Sequence, residues 1–419
     1  MRNAVHVYAD LQGTAHYVGR LWVHNRGNRQ AASFQYDDAW LANPDRFPLE
    51  PALSLGKEAF HTENGTVLFG AIGDSAPDRW GRALMRRAAR RESRIRSTAP
   101  GSLMEIDYLL RVHDEARQGA LRFALEKGGT FLSPDGCSIP PLVELPRLLA
   151  AAEHVDLDDD SDEDLRLLLA PGSSLGGARP KASIRDSDGI LSIAKFPQKS
   201  DDYDAVAWEA VALNLAEKAG ISASQSRHEK IAGKSVLILK RFDRSGRIRI
   251  PFLSAMSMIG GKDQETRSYL EIADAINRVG ASPKRDLAEL WRRMVFTVLI
   301  SNTDDHMRNH GFLYTGISGW VLSPAYDMNP TPTDVKPRVL SNSIDETNQK
   351  ASLDTVFEVA GYFHVTPENA KAICGEVARA VTTWRQEASA LGLSNPQIDR
   401  MASAFEHDDL KKAVAFMRS

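Results

Sequence analysis

Directly after a strongly apolar run, Leu287 to Ile300, the chain carries Ser301-Asn302-Thr303-Asp304-Asp305-His306-Met307-Arg308-Asn309. The apolar run predicts a buried helix, so two carboxylates begin where a core element ends. Phosphoryl transfer of the protein-kinase kind needs a carboxylate to orient the acceptor hydroxyl and take its proton, and an amide oxygen one loop-turn later to hold magnesium. Asp304 and Asn309 have the required separation and Asp305 does not. Asp304 is therefore the candidate base, and Asp305 has a supporting role. Taken alone, the same residues could be a helix-capping Asp cluster with an Asn in a turn.

The next segment adds geometry. Gly311–Thr315 and Trp320–Ser323 flank Gly316-Ile317-Ser318-Gly319, a composition that predicts a β-hairpin. A hairpin returns the chain to its starting point, so Asn309 before it and Asp327 after it would lie side by side, as two oxygen ligands of one hard cation must. The alternative for Asp327 is a turn residue in Ala325-Tyr326-Asp327-Met328-Asn329-Pro330. His306 and His310 are four apart, which is a zinc spacing on a helix. Met307 stands where a hydrolytic zinc motif has its glutamate, and no third ligand with zinc-like spacing is evident nearby. His306 reads instead as a loop-organising hydrogen-bond residue.

Upstream, Pro171-Gly172-Ser173-Ser174-Leu175-Gly176-Gly177-Ala178-Arg179-Pro180-Lys181 is a Gly- and Ser-rich turn entering a strand. Its backbone amides could cradle phosphates, though it fits neither common phosphate-loop pattern. Ala182–Arg185, the turn Asp186–Gly189 and Ile190–Phe196 predict a hairpin that brings Lys195 back toward the glycines. A lysine there can neutralise α- and β-phosphate charge. Glu209, on a helix predicted from Asp204 to Ala219 and stopped by Gly220, could hold Lys195 or could simply be solvated.

The remaining chain supplies the frame. Short β-patterned segments, His6–Tyr8 and His16–Val23, open a β-rich module with a turn at Arg26–Arg29. A helix is expected from Pro77 to Arg91, capped by Ser75, with Leu84 and Met85 inward and a basic run Arg86, Arg87, Arg90, Arg91, Arg94 and Arg96. That run reads as a solvated face or as a contact for an acidic partner or DNA. The acidic segment Asp156–Asp164 reads as a surface loop and a boundary before a helix Leu165–Ala170. Val236–Phe242 reads as a strand, and helices are expected over Pro367–Leu391 and Pro396–Met417. A net charge of −3 over 419 residues gives no general nucleic-acid affinity. The two cysteines, Cys137 and Cys374, build no disulfide framework. With no leader pattern at Met1–Asp10 and no membrane-length apolar run, a soluble cytoplasmic protein is expected.

These motifs together resemble the HipA family, the kinase toxins of bacterial toxin–antitoxin modules. The resemblance is carried by Ser75-Ala76-Pro77-Asp78-Arg79-Trp80-Gly81, Ser174 to Lys181, Ala194-Lys195-Phe196-Pro197, Lys240-Arg241-Phe242-Asp243-Arg244, the Asp304 loop and Ala325-Tyr326-Asp327. It implies an α+β, two-lobed protein-kinase-like fold with an N-terminal β-rich subdomain over residues 1–100. A nucleotide-binding lobe over 101–250 and a mainly helical lobe over 251–419 would follow. It implies an ATP- and Mg2+-dependent serine/threonine kinase with Asp304 catalytic and Asn309 and Asp327 on the metal. Nucleotide contacts would come from Leu175, Gly176, Gly177, Ala178, Lys181, Lys195, Lys240, Arg241, Phe242, His306, Asn309 and Asp327, with the strand ending at Phe242 as the adenine hinge. It further implies autophosphorylation at Ser174, with Ser173 beside it, which displaces the loop and silences the kinase. The expected substrate is an aminoacyl-tRNA synthetase, whose modification halts translation and induces growth arrest or persistence. The expected partner is a HipB-like helix-turn-helix antitoxin that carries the complex to DNA, with no membrane involved. One departure is Lys240, where some relatives carry an acidic residue, which leaves only backbone groups for adenine there. Two other readings are a small-molecule or lipid phosphotransferase on a related fold and a catalytically idle co-repressor of the antitoxin.

Overall fold

The computed structural model describes residues 4–26, 29–63, 66–97, 101–133, 138–169, 171, 177–263 and 265–418. They form two compact units, residues 1–200 with 240–260, and residues 201–239 with 261–419.

The first unit opens on an antiparallel sheet in the spatial order Phe60–His61, Arg29–Tyr36, Thr14–Arg26, Val5–Leu11, Leu121–Ala124. Gln12 and Gly13, both at positive φ, make the tight turn between Val5–Leu11 and Thr14–Arg26. Val7, Leu21, Phe34 and Phe123 are fully buried, as expected for the inward face of a half-covered sheet.

The basic helix runs over Arg79–Ile95, and its cap is Asp78, whose carboxylate accepts from the Gly81 amide at 2.7 Å. This corrects the expected start at Pro77 with a Ser75 cap. The Ser75 hydroxyl donates to the Ile72 carbonyl at 2.7 Å and closes the preceding helix, Gly70–Asp74. Leu84 and Met85 face inward as expected. The basic run is not simply a solvated face, and the acidic segment is not merely a boundary. Arg87 pairs with Asp158 and, at 2.8 Å, with Asp160; Arg91 pairs with Asp160 at 2.9 Å and Asp162 at 2.6 Å. Arg86, Arg90 and Arg94 stay exposed. The following helix starts at Asp162 and runs to Leu169, with three acidic residues in its first turn, where the helix dipole favours them.

The second unit is mainly helical around a hairpin. Its first helix, Ala205–Lys218, is capped by Asp204, and Gly220 at φ +73° carries the chain away. The expected apolar helix spans Pro283–Leu299. Two long helices expected near the C-terminus are broken. Pro367–Val381 ends where the Thr382 and Thr383 hydroxyls donate back to the Arg379 and Ala380 carbonyls, and Trp384–Ala390 restarts it. Restarting re-aims Trp384, which stacks on Phe405 at 4.5 Å and lies 6.0 Å from Trp208. Beyond Pro396, the chain forms Asn395–Arg400, Ala402–Phe405 and Asp408–Val414, the last opened by the His407 ring accepting from the Leu410 amide. Among the described residues no helix is long and apolar enough to cross a membrane.

The strand expected to end at Phe242 runs over Lys234–Lys240 instead. It stops because Arg241 to Arg244 turn into a buried charge cluster within the first unit. Asp243 accepts from Arg241 at 2.5 and 2.8 Å, from Arg244 at 2.8 Å and from the Gly119 amide at 2.7 Å. Arg241 also donates to the carbonyls of Ala116 and Arg117, and Arg244 to those of Arg117 and Gly119. Gly119 is at φ +72° with Phe252 closing on it, so a side chain there would be both strained and crowded. Burial pushes the Asp243 carboxyl up, but Arg241 and Arg244 more than offset this and hold it far below the usual carboxylate range. Its contribution to stability is therefore complete above the unfolded value near pH ~4 and lost only as pH falls toward the folded value. Replacing Asp243 by Ala strands two buried guanidinium groups and is expected to cost about 3–5 kcal/mol in urea unfolding at neutral pH. Asp243→Asn should lose part of that and flatten the acid limb of stability against pH.

Candidate active site

In the second unit the helix Pro283–Leu299 delivers the chain into the Asp304 loop. Ser301 takes a positive φ of 51°, a conformation disfavoured for a residue with a Cβ. It is held there by a hydrogen bond from its hydroxyl to the Ala404 carbonyl at 2.8 Å and by Arg338, which donates to it at 3.0 Å. Arg338 also reaches the Val298 carbonyl and Asp409.

The adjacent carboxylates diverge. Asp305 is buried and accepts from the Tyr269 hydroxyl, from His310 Nε2 at 3.1 Å and from Thr297 at 3.4 Å. Burial pushes its carboxyl up, yet His310 and Tyr269 together bring it below the ordinary value. Asp304 points the other way, with its side chain 70% exposed and Lys336 Nζ 3.9 Å from its Oδ1. An open carboxylate beside an anchored one is what an acceptor hydroxyl can approach.

The hairpin forms as expected, Gly311–Tyr314 against Trp320–Leu322, with Phe312 opposite Leu322 and a short helical turn at Gly316–Ser318. The Ser323 amide donates to the Gly311 carbonyl at 2.8 Å and the Tyr326 hydroxyl to the Arg308 carbonyl at 2.7 Å, so the two ends of the hairpin run together. Asn309 precedes it, mostly buried, with Nδ2 donating to the Asp304 carbonyl at 3.2 Å. That orientation leaves its amide oxygen as the available ligand atom. Asp327 follows the hairpin at φ 58° and accepts from Asn329 Nδ2 at 3.4 Å, while the Asn329 amide donates to Asn302 at 3.3 Å. One amide oxygen and one carboxylate are hard donors that fit Mg2+ better than zinc.

His306 organises the loop through its backbone and not through its ring. Its ring Nδ1 is buried without a hydrogen-bond partner, and its organising bond is made by its carbonyl, which accepts from the Asn309 amide at 2.8 Å. The organising ring is His310, buried against Asp305 and edge-on to Tyr269 at 5.6 Å. His310 is noticeable in the sequence only for its spacing from His306, and nothing in the sequence marks Tyr269 as its neighbour.

In the first unit the expected hairpin pairs Lys181–Arg185 with Leu191–Lys195, and its register sets Lys181 opposite Lys195. The return of Lys195 toward the glycine-rich turn is thus built in. Ser173, Ser174, Leu175 and Gly176 lie outside the described residues. Gly177 and Ala178 are exposed, and Gly177 at φ +105° has Lys181 Nζ beside it. Lys181 is buried and paired with Asp78 at 3.0 Å, and its carbonyl accepts from the Trp80 indole at 2.9 Å. Burial pushes the Asp78 carboxyl up, with Lys181 opposing that shift. Lys240 is exposed, and the Arg241 guanidinium is enclosed by Asp243 and the Ala116 and Arg117 carbonyls. In the second unit Glu209 is buried on the helix Ala205–Lys218.

Residues 173–384 match the HipA-like C-terminal domain, and residues 10–106 match the HipA N-terminal domain. The chain belongs to the HipA family. The Sinorhizobium fredii protein Y4mE, which carries a provisional kinase name, is 24% identical over 339 residues, 73% of this chain and 74% of the relative. A Haemophilus influenzae protein, likewise provisionally named a kinase, is 24% identical over 178 residues, 37% of this chain and 52% of that one. Among solved structures, the Shewanella oneidensis MR-1 toxin–antitoxin complex of HipA, HipB and operator DNA matches with a TM-score of 0.62. It is 15% identical and covers 97% of this chain and 96% of the other. At that identity the likeness establishes the HipA-type α+β fold. The comparisons thus meet the family and fold that the motifs imply.

Tyr269→Phe tests the anchor directly. It should cost about 1.5–3 kcal/mol, the range for a hydrogen bond to a buried charged group, measured by urea denaturation against the wild-type chain.

Proposed function

We propose that this HipA-family chain is an ATP- and Mg2+-dependent protein serine/threonine kinase. The observation that supports it most is the pairing of an exposed Asp304 with a buried, bonded Asp305 at the start of a hairpin whose ends carry Asn309 and Asp327. Asp304 would accept the hydroxyl proton as the new bond to phosphorus forms, and Asn309 and Asp327 would hold the metal. Bound magnesium would neutralise charge on the ATP phosphates. Lys195 would steady the α- and β-phosphates. Transfer is then mostly positioning and charge stabilisation.

The acceptor is a serine or threonine of a protein target, with an aminoacyl-tRNA synthetase the leading candidate and growth arrest the outcome. A HipB-like antitoxin is the expected partner, a reading supported by the Shewanella complex in which HipA is bound with HipB and operator DNA. Self-modification at Ser174, with Ser173 as the neighbouring site, would add about two negative charges in the glycine-rich turn and oppose phosphate binding there.

Asp304→Ala and Asp327→Ala should each abolish transfer from labelled ATP to protein in cell extract while leaving the thermal unfolding midpoint close to that of wild type. Undiminished transfer by either purified variant refutes the role given to that residue. Mass spectrometry of the wild-type chain after incubation with Mg·ATP should find phosphate at Ser174 or Ser173, and an unmodified peptide would remove the self-silencing step.

A further inference from the structure

We propose that Lys336 is a further catalytic residue, which binds the phosphoryl group in flight beside Asp304. The inference rests on the phosphotransferase reading of the Asp304 loop. Lys336 comes from the segment after Asp327, and its ammonium donates to the Thr303 carbonyl at 3.0 Å. From there it stands 3.9 Å from Asp304 Oδ1, with the two side chains 42% and 70% exposed. That separation is longer than a charge-assisted hydrogen bond, for which about 2.7–2.9 Å is normal. A pair so open contributes little to stability, because solvent screens it. Its placement therefore needs another explanation, and the chemistry supplies one.

The acceptor hydroxyl must touch Asp304 while its oxygen attacks the γ-phosphorus, so the phosphoryl group passes within one bond length of that hydroxyl. A cation already fixed next to the base meets the phosphoryl oxygens at the point where their charge is redistributed. In the step, the acceptor oxygen forms the new bond to phosphorus as the bond to the β–γ bridging oxygen breaks. The hydroxyl proton passes to Asp304, and ADP leaves with the electron pair. Lys336 exchanges no proton; one of its N–H groups stays on Thr303 and the other two are free to turn to the phosphoryl oxygens.

The carrier segment is braced as such a role requires. The Thr331 amide donates to the Ser301 carbonyl at 3.2 Å, the Thr333 amide to Ser403 Oγ at 3.0 Å, and Asp334 pairs with Arg400. The Val335 and Lys336 amides both turn back to the Pro332 carbonyl at 3.0 and 3.2 Å. A charge aimed by a fixed loop needs no reorganisation when the reaction occurs, which is the condition under which one donor matters most.

The test uses the full chain and single-turnover transfer from labelled ATP, with binding of a fluorescent ATP analogue measured in parallel. Lys336→Met should slow transfer by about 10²-fold or more, the scale of removing one transition-state donor, with nucleotide affinity and melting midpoint near wild type. Lys336→Cys should be equally slow and should recover after aminoethylation of the new thiol with 2-bromoethylamine, with wild-type protein treated in the same way as the control. A purely bracing role for Lys336 would lower the melting midpoint and would not separate rate from affinity. The proposal is overturned if Lys336→Met transfers within about threefold of wild type, or if fully aminoethylated Lys336→Cys stays slow. Wild-type protein that transfers no phosphate removes the reading beneath the proposal and the proposal with it, whereas an active wild type, a dead Asp304→Ala and an unimpaired Lys336→Met overturn the proposal alone.

Discussion

A buried carboxylate has to be satisfied, and in the second unit Asp305 is satisfied by three residues from separate positions, Tyr269, Thr297 and His310. Desolvating a charge is costly unless it is paired and hydrogen-bonded, so the loop that carries Asp305 cannot drift without losing several bonds at once. This anchor holds the Asp304 loop against the core. The turn that buries Asp305 leaves Asp304 at the surface, so the two neighbouring carboxylates sit in opposite surroundings.

The same logic explains why the loop tolerates unusual backbone. Ser301 and Asp327, neither of them glycine, both lie at positive φ, a conformation that costs roughly 1–2 kcal/mol for an ordinary residue. Ser301 is compensated by Ala404 and Arg338, and Arg338 is itself fixed by Asp409. The segment around Asp327 is tied to the loop through Asn329 and Asn302 and through Tyr326 and Arg308. The C-terminal helices thus have a purpose beyond covering the core, since residues near 401–409 hold the base of the Asp304 loop from behind.

How much of this was legible follows from the range of the interactions. The hairpin after Asn309, the hairpin that returns to Lys195 and the helix Ala205–Lys218 are set by local patterns of glycine, alternation and capping, and the sequence reading locates all three. The break in the helix expected over Pro367–Leu391 is not legible, because it depends on the Thr382 and Thr383 hydroxyls bonding backward and on the stacking of Trp384 on Phe405. The resemblance gives Lys240, Arg241 and Phe242 as nucleotide contacts, and what it does not reveal is the buried side-chain cluster that Arg241 and Asp243 form with Gly119, 124 positions from Asp243. Lys336 has no sequence mark at all, since its meaning comes from a contact with a loop 33 residues away.

In the first unit, charge complementarity does what apolar packing cannot do around a polar loop. The helix Arg79–Ile95 grips the chain ahead of the glycine-rich turn through Arg87 and Arg91 on Asp158, Asp160 and Asp162. Its N-terminus grips the chain behind that turn through Asp78 on Lys181 and the Trp80 indole on the Lys181 carbonyl. One rigid rod therefore sets the separation of the two flanks, whatever the turn itself contains. These contacts also account for residue choices that look redundant in sequence. Arginines four apart on a helix share a face, and aspartates spaced by two along the facing segment meet them in register. Lysine at 181 is committed to Asp78, so its charge serves to fix this flank rather than standing open to solvent.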